Sequence, residues 1–120
     1  MTVYSEFWAA LEARDWPRLG ATVTDDVVAT WPQSRETVRG REALLTFMAS
    51  YPGDWHLVLE KEHADAAGAA TSVAFTLDGE TVPGVTFFEA TPAGLIKSFT
   101  EYWPEPYDPP PGRAHLLERY

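Results

Sequence analysis

The chain has 120 residues, a formal net charge of −9 and no cysteine. Its length suits one domain with a real core, and a hydrophobic content of 45% places it among globular proteins. The charge repels nucleic-acid phosphates and anionic membrane surfaces, and the missing cysteines exclude disulfides, thiolate nucleophiles and cysteine metal sites.

Positive charges are scattered singly apart from Arg39 and Arg41, so no basic patch for nucleic acid is expected. No apolar run of about 18 residues crosses a membrane. The start Met1-Thr2-Val3-Tyr4-Ser5-Glu6 lacks the basic region of a signal peptide, which predicts a cytoplasmic protein. Five Trp, five Tyr and six Phe exceed what a core of this size requires and point to an aromatic-walled pocket for a small apolar molecule.

In chain order, Tyr4, Phe7, Trp8 and Leu11 fall at i, i+3, i+4 and i+7 and predict a helix. Asp15 caps a second helix with Pro17 in its first turn; Trp16, Leu19 and Val23 form its apolar stripe and Asp25-Asp26 ends it. Val27 to Trp31 reads as a strand and Pro32 to Gly40 as a loop. Leu44, Phe47, Met48 and Tyr51 define a third helix, stopped by Pro52-Gly53-Asp54. Four strands follow: Trp55–Ala64, Ala69–Leu77, Glu80–Ala90 and Leu95–Trp103. The turns between them are Asp65–Gly68, the hairpin signal Asp78-Gly79, and Thr91–Gly94. Helices segregated from an antiparallel meander define an α+β domain over residues 1–107. Residues 108–120 form a proline-rich tail, expected to cross the sheet or a partner subunit and to end in a short helical turn or in disorder.

The turns set the registers. A two-residue Asp78-Gly79 loop pairs Phe75 with Val82 and Val73 with Gly84; closure at Thr91–Gly94 pairs Glu101 with Gly84 and Phe99 with Thr86. One face then carries Phe75, Phe88, Phe99, Glu101 and Trp103. The absent side chain of Gly84 leaves room before the Glu101 carboxylate. A carboxylate in an apolar wall has a raised pKa, which suits general acid–base chemistry near neutral pH. Pro83 cannot donate to a ladder and predicts that the hairpin strands part or bulge there. The opposite face carries Val85, Phe87, Ile96 and Tyr102, and its simplest cover is a second copy of the chain, giving a homodimer through the outer face of the sheet.

Trp31 and Gln33 follow the first strand and can close one end of the pocket, with core packing the other reading for Trp31; Tyr51 ends the third helix on its apolar face, where its hydroxyl can reach a ligand or the surface. Around the next strand two readings stand. The register sets His56 on the face of Val58 and Leu77, whereas the apolar series Trp55, Leu57, Leu59 turns the other face inward. His56, His63 and His115 lack metal-ligand spacing, so no metal is expected. No serine sits in a nucleophile elbow and no glycine-rich phosphate loop exists, so no cofactor is expected.

The stretches Ala13-Arg14-Asp15-Trp16, Asp25-Asp26-Val27-Val28, Arg39 to Leu44, and Gly94-Leu95-Ile96-Lys97 through Thr100-Glu101-Tyr102-Trp103, in this order and spacing, resemble the polyketide-cyclase-like (SnoaL-like) proteins of the nuclear transport factor 2-like superfold. The resemblance runs to about Tyr107. It implies a cone-shaped α+β roll, N-terminal helices packed on a strongly curved antiparallel sheet, often dimeric, with a ligand in the cone. It implies isomerase, cyclase, epoxide hydrolase or dehydratase chemistry, or none. Epoxide hydrolase relatives use an acid on the last strand, where Glu101 stands, together with an Asp and an Arg on an earlier strand. This chain reads Ala70-Thr71-Ser72-Val73-Ala74 there, which argues against epoxide hydrolysis. Nor does it show the Tyr and paired Asp of ketosteroid isomerases. Two functions remain: a cofactor-free isomerase, cyclase or dehydratase using Glu101 as general acid or base, or a non-catalytic ligand-binding or dimerisation domain.

Overall fold

The structure, a computed structural model, describes all 120 residues. The elements are α1 (Val3–Glu12), α2 (Trp16–Gly20), β1 (Val23–Trp31), β2 (Glu36–Arg39), α3 (Arg41–Ala49), β3 (His56–Ala64), β4 (Gly68–Leu77), β5 (Glu80–Ala90) and β6 (Ile96–Tyr102). Thr2 caps α1 in a reciprocal capping box with Ser5, and Asp15 caps α2 by accepting the Arg18 N–H. No helix is long and apolar enough to cross a membrane.

The six strands form one open sheet in the order β2-β1-β6-β5-β4-β3. It is mixed, not purely antiparallel, because β1 runs parallel to β6. The expected loop Pro32–Gly40 contains β2, which closes a hairpin on β1 through Val28–Arg39 to Trp31–Glu36. Val23 belongs to β1, not to the second helix, and is fully buried beside Ile96. Asp25 and Asp26 lie within β1, where its pairing with β6 is interrupted between Val23 and Val28. Solvating two carboxylates breaks this ladder locally, and Arg41 of α3 clips the excursion down by ion-pairing with Asp25 and donating to the Val23 carbonyl at 2.7 Å.

The helices lie on one face. Tyr4, Phe7, Trp8 and Leu11 are all buried, as their spacing requires. Phe7 meets Phe88 and Phe99 edge-on at centroid distances of 5.3 and 5.5 Å. Burying a ring of this size contributes roughly 1.5–3 kcal/mol. Leu19 of α2 and Leu44 of α3 complete the core. Beyond β6 the chain carries only a 3-10 turn at Ala114–Leu116, and Tyr107, Leu116, Leu117 and Tyr120 are exposed.

The β4–β5 register is the expected one, with Phe75 opposite Val82 and Val73 opposite Gly84. It continues through Ala74–Pro83 without a bulge; the strands that part near Pro83 are β5 and β6, whose last pair is Val85–Tyr102. The β5–β6 register is two residues from expectation. Ala90 pairs with Ile96 instead of Leu95, and a bulge at Lys97 adds the second residue, so Glu101 faces Thr86 and Phe99 faces Phe88. A shift of two preserves the face of every residue after the bulge. Before the bulge the parity is reversed: Ile96 is buried in the core, not on the outer face. Gly84 leaves its space not to the carboxylate but to Trp103. A Cβ there would stand 2.5 Å from Trp103 Cζ3 and 2.7 Å from Cη2. Gly84→Ala should therefore destabilise the domain by about 1–3 kcal/mol through overpacking. Chemical denaturation measures this, and a change within about 0.5 kcal/mol would show that the ring yields freely.

Candidate functional site

The registers place three residues in one row across the helix-covered face, Thr71 on β4, Thr86 on β5 and Glu101 on β6, and Trp31 follows the last β1–β6 pair, Thr30–Thr100, by one residue. Trp103 follows Glu101 by two positions and shares its face. Glu101 is only 5% exposed. Three neutral donors hold its carboxyl group. Trp31 Nε1 and Trp103 Nε1 each donate to Oε1 at 3.1 Å, and Thr86 Oγ1 donates to Oε2 at 2.6 Å. Farther along the row, Trp8 Nε1 donates to Thr71 Oγ1 at 3.1 Å.

Burial pushes the Glu101 pKa above its ordinary value, because the apolar surroundings disfavour the charged form; the bonds from Thr86, Trp31 and Trp103 pull the other way and are outweighed. A carboxylate has about four acceptor positions. Two indoles occupy Oε1 and Thr86 occupies one position of Oε2, so one position stays open. Protonated, Oε2 can keep the Thr86 bond and offer its proton; ionised, it can accept one.

Glu101 lines a cavity of about 310 Å³. Trp8 and Leu11 of α1, Phe47 and Met48 of α3, and Tyr51 after α3 form one side. Trp55, Leu57 of β3, Phe75 of β4 and Val82 of β5 form the other. Trp31, Ser34 and Glu36 of the β1–β2 hairpin and Trp103 complete it. Ser34, Glu36 and Tyr51 are exposed, so the cavity opens between the hairpin and the end of α3. Of the residues expected to line a pocket, Trp31, Tyr51, Trp55, Phe75, Glu101 and Trp103 come together here.

Four others do not. Phe88 and Phe99 are packed into the core against Phe7, because the α1 aromatic stripe fills that part of the sheet. Gln33 is exposed, and its Oε1 accepts the Trp103 backbone N–H, tying the end of β6 to the β1–β2 hairpin. His56 is exposed and points away, its ring contacting Glu12 and Asp54, each at 3.2 Å; the neighbouring Trp55 and Leu57 are the inward pair. The carboxylates hold His56 at the surface while the apolar alternation turns Trp55 inward. Sequence reasoning missed Trp8, Leu11, Phe47, Met48, Leu57, Val82, Ser34 and Glu36. The helical stripes carried the signal for the first four, but their reach past the core depends on helix placement. No group of three His, Asp or Glu side chains is arranged to hold a metal ion.

The raised pKa has a sign in stability. The folded chain binds the Glu101 proton more tightly than the unfolded chain, so this contribution is fully present below the unfolded pKa and is lost as pH rises through the folded one. Wild-type melting temperature minus that of Glu101→Gln should therefore fall as pH rises through the Glu101 titration. A difference that rises across that range would mean the hydrogen bonds outweigh burial.

The family model for the SnoaL-like domain matches residues 4–99. Among solved structures, a candidate ketosteroid isomerase from Kribbella flavida DSM 17836 superposes with a TM-score of 0.94 at 41% identity, covering 98% of this chain and 87% of that one. A candidate SnoaL-like polyketide cyclase from Shewanella denitrificans OS-217 gives 0.75 at 15% identity, covering 85% and 88%. An LEH-like epoxide hydrolase from M. tuberculosis gives 0.70 at 20% identity, covering 85% and 80%. The last two likenesses show the fold alone. No curated protein matches the chain. Three helices on an open mixed sheet match the cone-like α+β fold of these structures, and the family model spans most of the chain: this protein belongs to the SnoaL-like domain family.

Proposed function

We propose that the protein binds a small apolar molecule in the aromatic cavity and acts on it as a cofactor-free isomerase, cyclase or dehydratase, with Glu101 as general acid and base. The observation that carries this reading is a buried carboxyl group with a raised pKa and one unfilled hydrogen-bonding position, at the wall of a cavity otherwise lined mainly by apolar side chains. Isomerisation, cyclisation and dehydration all need a proton moved at carbon or oxygen, and a group titrating nearer neutrality than an exposed glutamate moves one most effectively. Trp31, Trp103 and Thr86 would hold the carboxyl in place while the proton goes on and off, and the apolar walls would keep competing water away. The other reading, a non-catalytic binding domain, shares the cavity but requires no proton transfer.

Deuterium incorporation into 2-tetralone, a small apolar ketone with exchangeable α-protons, separates the two. The wild-type chain should accelerate exchange followed by NMR, and Glu101→Gln should lower it by about 10²-fold or more. Equal exchange by both proteins would remove Glu101 from the chemistry; none from either would favour the binding domain.

The proposal includes a homodimer through the outer sheet face. Val58, Phe87 and Tyr102 are exposed there, Phe87 at 51%, and the Phe87 and Tyr102 rings meet edge-on at 6.3 Å with no helix covering them. A two-fold contact would bury each patch against its own copy. Light scattering at micromolar concentration should give twice the chain mass, and Phe87→Glu should halve it; a monomeric wild type would end this part of the proposal.

A further inference from the structure

The charged groups that line the cavity are both acids: Glu101 in its wall and Glu36 at its mouth. No Lys, Arg or His lines it. Arg14, whose Cζ lies 3.5 Å from the centroid of Trp55, is not a lining residue and is paired with Glu12 at 3.2 Å; Arg35, between the lining residues Ser34 and Glu36 in sequence, is exposed and does not line the cavity either. Buried charges are ordinarily paired, yet the carboxyl of Glu101 meets only neutral donors, and one acceptor position remains open. Around it, six aromatic rings form connected groups. Trp31 packs on Phe47 at 4.7 Å, and Phe75 contacts Tyr51, Trp55 and Trp103 at 5.7, 6.2 and 5.5 Å. Aromatic faces attract cations, most strongly where water is excluded. Anionic compounds meet two carboxylates and no countercharge.

We infer that the molecule taken by this cavity is a hydrophobic ammonium compound, its apolar body among the rings and its positive nitrogen at Glu101. The inference rests on the reading of the cavity as a small-molecule site and adds the charge of the occupant. In its ionised form the Glu101 carboxylate has no counterion among its protein partners, and an ammonium group supplies one.

Binding then couples to the protonation of Glu101. The cation favours the ionised form, so affinity for it rises with pH through the Glu101 titration and levels off above it. A neutral ligand accepting a hydrogen bond from the protonated acid would show the reverse. The other titratable groups lining the cavity are Glu36 and Tyr51, both exposed at the mouth, so the Glu101→Gln variant identifies which group responds.

The test uses benzyltrimethylammonium, whose charge is fixed, and 2,2-dimethylpropylbenzene, the same shape with carbon in place of nitrogen. Binding is read by quenching of the cavity tryptophans across a pH series. The cation should bind about tenfold or more tightly than its isostere. Its affinity should rise with pH, and Glu101→Gln should remove that rise and abolish the preference for the cation, read as the ratio of the two probes' affinities in the same protein. The isostere binding as tightly as the cation, or cation affinity that ignores pH and Glu101→Gln, overturns the ammonium assignment and leaves the cavity reading standing. Failure of both probes to bind overturns both. Where Glu101→Gln does not fold, the exposed Glu36→Gln takes its place: cation affinity in that variant should keep its rise with pH, and loss of the rise there overturns the assignment to Glu101.

Discussion

The buried carboxyl of Glu101, received by two indole N–H groups and one threonine hydroxyl, ties together what the rest of the structure arranges separately. Its partners come from β1, from β5 and from the end of β6, so the bond network pins three neighbouring strands at one level of the sheet. A glutamate so enclosed is costly without partners, and each of its donors would be costly without it. The cavity wall depends on the same bonds, since both tryptophans that hold the carboxyl are also lining residues.

Two devices farther out make this arrangement possible. The Lys97 bulge sets the register that puts Glu101 opposite Thr86, and Gly84 gives the Trp103 indole a flat place to lie. Gln33 then receives the Trp103 backbone N–H and joins the β1–β2 hairpin to the point where β6 ends. The division of the sheet face follows from helix placement. Where α1 presses its aromatic stripe on Phe88 and Phe99 there is core; where Trp8 and Leu11 of α1 and Phe47 and Met48 of α3 line the sheet with Trp31 and Trp55 there is space. The proposed catalysis and the proposed ligand charge both draw on the same contrast between a single polar group and its apolar surroundings.

Much of this was legible in the residues. The spacing of Tyr4, Phe7, Trp8 and Leu11 determined α1, the Asp78-Gly79 turn determined the β4–β5 register, and the alternation around Glu101 set it on the covered face despite the register error. That error was harmless because it was even: one residue from a longer loop and one from a bulge. For Ile96, before the bulge, only one of the two applied, and the face came out reversed. Bulges leave almost no local signature, because the extra residue here is an ordinary exposed lysine.

Local pattern by itself determined the α+β class, the helical stripes, the hairpin turn and the presence of one glutamate among aromatic residues, since these depend on neighbours within a few positions along the chain. Tertiary structure alone decided that β1 runs parallel to β6, that Phe88 and Phe99 belong to the core while Trp8 and Met48 reach the cavity, and that two tryptophans and a threonine converge on Glu101. Those partners lie 70, 15 and 2 residues from Glu101 in sequence. Contacts between distant segments are set by how sheet and helices close around the core, a constraint that periodicity along one strand or helix does not carry.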